Sequence, residues 1–183
     1  MSINTPLGDT LDGYLTGLLA GKSAVSNWKE AIDTSRCYSK VGGDLSEYDW
    51  MAKLSSFEGI IDPETFRRLR KLVIKAPWST KLSMLLAVEG YVHSGLADAG
   101  YDARRLAAII AGHNINFNHQ YQNRIQYADE PDWMDGMLAL TGLDTDHAGS
   151  VSEALQIKGP TYTMGSACAS GNHALRAAVD EIR

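Results

Sequence analysis

At 183 residues, 44% apolar and 21% charged, the chain is large enough for one ordinary core and has the composition of a globular protein. Its net charge of −5 excludes a nucleic-acid face, because neutralising phosphates needs clustered Lys and Arg. Two distant cysteines make no disulfide framework and point to a reducing, cytoplasmic compartment. The start, Met1-Ser2-Ile3-Asn4-Thr5-Pro6, lacks the pattern of a signal peptide, and no apolar run is long enough to span a bilayer, so a soluble protein with no membrane contact is expected.

In chain order, Asp9 or Thr10 can cap a first helix carrying Leu11, Tyr14, Leu15, Leu18 and Leu19, with Gly21 as its left-handed stop. From 26 to about 62 no period is sustained, and Gly42-Gly43 with scattered aromatics predicts a long irregular excursion. Helical spacing returns after Pro63 and breaks at Pro77. Within it, Arg67-Arg68-Leu69-Arg70-Lys71 reads as a solvated helix face in preference to a docking site for an acidic partner. Leu82, Leu85, Leu86, Glu89, Val92 and Leu96 predict another helix, ending near Gly95 or Gly100.

The run 106–111, apolar on both faces and closed by Gly112, predicts a buried parallel strand. Residues 113–135 are polar and read as a surface loop or irregular helix. Residues 145–156 read as a helix that Gly159-Pro160 terminates. Thr161-Tyr162-Thr163-Met164 reads as a short strand. The last helix starts close to Cys168 and carries Leu175, Ala178, Val179 and Ile182 on one stripe. Strands alternating with helices predict an α/β fold.

Cys168 stands among Gly165, Ser166, Ala167, Ala169, Ser170 and Gly171. A strand feeding a helix through small residues makes a tight turn with little side-chain cover, the device that exposes the serine of α/β-hydrolases. The unpaired N–H groups of a helix start favour an anion and can hold the oxyanion formed when a thioester is attacked. The competing reading is a small buried hydrophobe. Cys37, in Ser35-Arg36-Cys37-Tyr38, has no such surroundings and is given no role.

The stretch Gly159-Pro160-Thr161-Tyr162-Thr163-Met164-Gly165-Ser166-Ala167-Cys168-Ala169-Ser170-Gly171 resembles the active-site signature of the β-ketoacyl synthases. The segment from Asn4-Thr5-Pro6-Leu7-Gly8 to Gly21-Lys22-Ser23 resembles that family's first helix and its exit, and Gly95-Leu96 through Ile110 resembles the next helix, turn and strand. The resemblance implies the N-terminal half of a thiolase-like fold, layered αβαβα. It implies a homodimer acting on acyl carrier protein thioesters in fatty-acid or polyketide synthesis, with no cofactor and no metal. Cys168 would be the nucleophile, and its backbone N–H half of the oxyanion hole. His173, five residues on and off the same helical face, reads as a packing residue. Residues 143–147 would line the partner's acyl pocket.

The sequence departs from the family in two ways. The family's apolar first strand, its downstream histidines and lysine, and its second Gly-rich loop have no match here. Residues 1–183 therefore read as an incomplete N-terminal domain whose C-terminal half lies in the same or a second chain, with a large apolar surface left uncovered. The loop Ala111-Gly112-His113-Asn114-Ile115-Asn116-Phe117-Asn118 is more polar than is usual and reads as lining the pocket or dimer interface in preference to binding a metal. It resembles the stand-alone homologues that decarboxylate malonyl-carrier protein in polyketide β-branching, although those usually carry Ser as the nucleophile. A non-catalytic subunit like a chain-length factor is the third reading.

Overall fold

The computed structural model describes residues 1–28, 34–35 and 37–182. Helix α1 (Leu11–Leu19) starts where Thr10 Oγ1 accepts the Gly13 N–H at 3.1 Å and stops at Gly21, whose φ is 66°. Asp9, the other candidate cap, instead accepts the Tyr48 hydroxyl at 3.2 Å. The expected excursion is partly ordered. Strands β1 (Ser26–Asn27) and β2 (Val41–Gly42) pair antiparallel, and helix α2 (Trp50–Ser55) follows. Asp49 Oδ1 caps α2 through the Ala52 N–H at 2.9 Å. Only Leu54 of its six residues is buried, too few apolar positions to leave a helical period in the sequence.

Helix α3 (Pro63–Lys75) opens on an Asp62 cap with Pro63 in its first turn, and buries Leu69 and Val73. Arg67, Arg70 and Lys71 face solvent, as a solvated helix face requires. Lys81 Nζ closes the far end by donating to the Val73 and Ile74 carbonyls at 2.7 and 3.0 Å. Helix α4 (Trp78–His93) begins directly after Pro77 and ends at left-handed Gly95. It is the central helix of the core, with Met84, Leu85 and Val88 sealed from solvent. Burying each such side chain stabilises by roughly 1.5–3 kcal/mol. Glu89 sits on the same helix because Lys53 of α2 meets it at 2.5 Å, pairing a charge that burial would otherwise penalise.

Strand β3 (Ala108–Ala111) follows, then helix α5 (Phe117–Asp129), helix α6 (Leu138–Thr141) and helix α7 (Thr145–Leu155). Strand β4 (Thr161–Met164) leads to helix α8 (Ser170–Ile182). β3 and β4 are parallel, in register from Ala108 opposite Thr161 to Ala111 opposite Met164. Helices α7 and α8 pack on the pair. Parallel strands joined through helices are an α/β arrangement, as the alternating pattern predicts.

Two expectations need correction. Residues 117–129 form a regular helix, neither a loop nor an irregular one. Phe117, Tyr121 and Ile125 recur at i, i+4 and i+8, and the first two rings stack at 6.3 Å. That stripe is about half exposed, so the helix gains only part of its burial within this chain. β3 is also less buried than its composition predicts: Ala108 is buried, Ile109 and Ile110 partly so, and Ala111 exposed. β4 covers one edge, and no strand among the described residues covers the other. Leu175, Val179 and Ile182 of α8 likewise lie open to solvent. Among the described residues no helix is long and apolar enough to cross a membrane.

Candidate active site

Gly159 is where the chain enters the site region, and a side chain there would start 2.1 Å from the Leu106 carbonyl oxygen. Only glycine lets the segment pass that close. From there Pro160 O accepts the Ala108 N–H at 2.9 Å, Gly112 N donates to Met164 O at 3.0 Å, and β4 is zipped to β3 along its whole length. Both strands therefore release their chains side by side at their carboxyl ends, where open α/β sheets place their ligands.

Past Met164 the backbone turns sharply. Ala167 has φ of 46°, a left-handed conformation costing an alanine about 1–2 kcal/mol. A single turn of 3-10 helix, Ala167–Ala169, then runs into α8. Ser170, which is buried, braces both sides of the strained residue. Its Oγ accepts the Ser166 N–H at 2.8 Å and donates to the Ala167 carbonyl at 2.7 Å. Cys168 at the crest of the turn is exposed. Ala169 N donates to Ser166 O at 3.0 Å and Ser170 N to Ala167 O, whereas the Cys168 N–H has no acceptor among the described residues. An accessible thiol and an unengaged amide on one residue is the arrangement that attack on a thioester, with capture of the oxyanion, requires.

His173 does not behave as a packing residue. Its ring is exposed and its Nδ1 lies 2.7 Å from Ser166 Oγ, so it braces the turn from outside and makes no hydrogen bond to Cys168. Cys37 is exposed in a turn closed by its own N–H on Thr34 O at 3.1 Å.

The polar loop after β3 is held by a residue that sequence reasoning missed. The Asp144 carboxylate accepts the N–H groups of Asn114 and Ile115 at 2.8 and 2.7 Å, and its carbonyl accepts the Thr163 hydroxyl of β4 at 3.1 Å. Asn114 has φ of 56°, which asparagine tolerates better than most residues. Asn116 is fully buried and belongs to the interior, not to a pocket wall. Its Nδ2 donates to the Thr141 and Leu143 carbonyls at 2.8 and 3.1 Å, which turns its Oδ1 toward His147 Nε2 at 3.0 Å. That oxygen can only accept, so Nε2 carries the proton and Nδ1 accepts from Ser83 Oγ at 2.7 Å. Burial holds His147 below the usual 6.5 and pushes Asp146, which accepts from Thr80 Oγ1 at 3.2 Å, upward.

These bonds take His147, but not the rest of 143–147, out of the expected lining of a partner's pocket. Leu143 is exposed, but the His147 ring is sealed inside its own chain. Among the described residues no group of three or more His, Cys, Asp and Glu side chains could hold a metal ion.

The sequence profile for the β-ketoacyl synthase N-terminal domain matches residues 1–183. The polyketide biosynthesis malonyl-ACP decarboxylase PksF of Bacillus subtilis (strain 168) is 21% identical over 182 residues, which is 100% of this chain and 40% of that protein. Nodulation protein E of Rhizobium leguminosarum bv. trifolii is 28% identical over 178 residues, covering 93% of this chain and 42% of that protein. The chain thus spans well under half the length of these relatives. The match over residues 1–183 places the chain in the β-ketoacyl synthase family, as an N-terminal domain.

Proposed function

We propose that this chain supplies the nucleophile of a β-ketoacyl-ACP synthase-type acyltransferase of polyketide or fatty-acid biosynthesis. Cys168 takes an acyl group from an acyl carrier protein, expelling the carrier thiol as the thioester forms on Sγ. Malonyl-carrier protein then loses carbon dioxide and its carbanion attacks that thioester, releasing a β-ketoacyl-carrier protein. The observation that carries this reading is the exposed thiol on a braced turn, with its own N–H unengaged and able to hold the oxyanion. The remaining catalytic groups come from a C-terminal half, in the same or a second chain, that completes a layered thiolase-like fold. The uncovered edge of β3 and the open stripe of α8 support that incompleteness. A cytoplasmic homodimer fits the exposed Phe117, Tyr121, Ile125 and Leu143.

The second reading, decarboxylation of malonyl-carrier protein without chain extension, is favoured by the likeness to PksF along this whole chain. It also suits the polar loop after β3. Given the full-length protein, acyl-carrier protein and malonyl-carrier protein, the first reading predicts a chain-extended β-ketoacyl product. Acetyl-carrier protein alone contradicts it and favours the second.

A further inference from the structure

His113 lies beside the strand exit that leads into the elbow. It is the second residue after β3, and β3 and β4 end side by side with Ala111 opposite Met164. Its imidazole lies against Gly165, three residues before the nucleophile. A side chain at 165 would start 3.4 Å from His113 Nδ1 and 3.8 Å from its Cβ, and 3.3 Å from the Gly112 carbonyl oxygen. The ring therefore lies within ordinary contact distance of position 165.

The ring is exposed and makes no hydrogen bond or ion pair among the described residues, unlike His119, His147 and His173. Its backbone, by contrast, is fixed on both sides. Gly112 N is tied to Met164 O at 3.0 Å, the next two N–H groups are held by Asp144, and the Asn116 side chain is anchored in the core. An unengaged imidazole on a rigid turn, against the residue three before the nucleophile, is arranged for a ligand, since a side chain with no partner gives the turn nothing in stability.

We propose that His113 is the catalytic acid that turns malonyl-carrier protein into acetyl-carrier protein at this elbow. The inference rests on the family reading of the site and deepens its decarboxylating branch. When the malonyl thioester loses carbon dioxide, the electron pair of the broken C–C bond passes into an enolate. Condensation consumes that enolate by attack on the acyl group of Cys168. Decarboxylation alone requires a proton at the α-carbon, which the protonated imidazole gives, and the neutral ring then recovers one from water. The sum is malonyl thioester plus a proton giving acetyl thioester and carbon dioxide.

The test uses the full-length protein and the H113Q and H113N variants, with thermal melts as the folding control. Two rates are read: acyl loading of Cys168 by intact mass, and acetyl-carrier protein formed from malonyl-carrier protein. The expected result is acetyl formation reduced about 100-fold, with loading within about twofold of wild type. Equal acetyl formation in wild type and both variants overturns the inference. So does a parallel fall in both rates, which marks a structural role. Wild type that loads Cys168 but forms no acetyl product overturns the inference alone, whereas wild type that neither loads nor decarboxylates overturns the family reading of the site.

Discussion

At Ser170 two hydrogen bonds converge on one hydroxyl, from the Ser166 N–H and to the Ala167 carbonyl, across a residue at φ 46°. Ser170→Ala removes both part-buried hydrogen bonds, each worth about 0.5–1.5 kcal/mol. Denaturant unfolding of the variant measures that loss. Released, the turn also loses the geometry of the Cys168 N–H, so thioester acylation slows more than alkylation by iodoacetamide, which needs no oxyanion site. Equal slowing of both, or of neither, contradicts the bracing role. Cys168 was legible in the sequence because small residues on both sides of a cysteine leave it uncovered. Ser170 was not, because the same run of small residues does not say which one holds the turn. Asp144 was hidden for another reason: its backbone partners lie about thirty positions away in sequence, and only the fold brings them together.

At the scale of elements, helix α4, the loop before α5 and helix α7 are joined through the His147 ring, by Ser83 on one side and Asn116 on the other. Burial keeps this imidazole below its ordinary 6.5. As pH falls through 6.5, the unfolded chain takes up a proton that the folded ring refuses, so stability is full above that value and declines toward the lowered one. Asp146 runs the other way: its raised value favours the fold in full below the ordinary 3.8, and that contribution is lost as pH rises through the raised value. Melting temperature should fall between pH 7.5 and 5.5 in wild type, and less steeply in His147→Gln. A slope unchanged by the substitution contradicts the assignment. Helix α1, with its cap and glycine stop, and helices α3 and α4, with their buried stripes, were readable in advance, although the leucine stripe of α1 lies open to solvent. The regularity of helix α5 was not readable in advance, because its apolar stripe is short and set among Asn and Gln, and because Asp144 organises the turn before it from outside the segment.

For the whole molecule, the uncovered surface is the dominant feature. Leu175, Val179 and Ile182 on α8, with Phe117, Tyr121 and Ile125 on α5, are all more than two-fifths exposed. Apolar patches of this extent mark interaction surfaces. Residues 1–183 expressed alone should self-associate in sedimentation and bind a hydrophobic dye strongly, while the full-length protein should do neither beyond a defined oligomer. A monodisperse, dye-silent monomer of residues 1–183 contradicts the proposed incompleteness. The α/β class and the two strands near 106–111 and 161–164 followed from the alternation of apolar runs and helical periods, whereas their pairing came from the fold. The open faces did not, because a strand that a further layer would cover has the same composition as one already covered.

Acylation of Cys168 is the claim on which the rest depends, and intact mass spectrometry of the full-length protein with an acyl-carrier protein thioester tests it directly. Wild type should gain the mass of one acyl group, lost on treatment with hydroxylamine, and Cys168→Ala should gain none. Acyl mass on the Cys168→Ala variant, or none on a folded wild type, contradicts the account of the elbow.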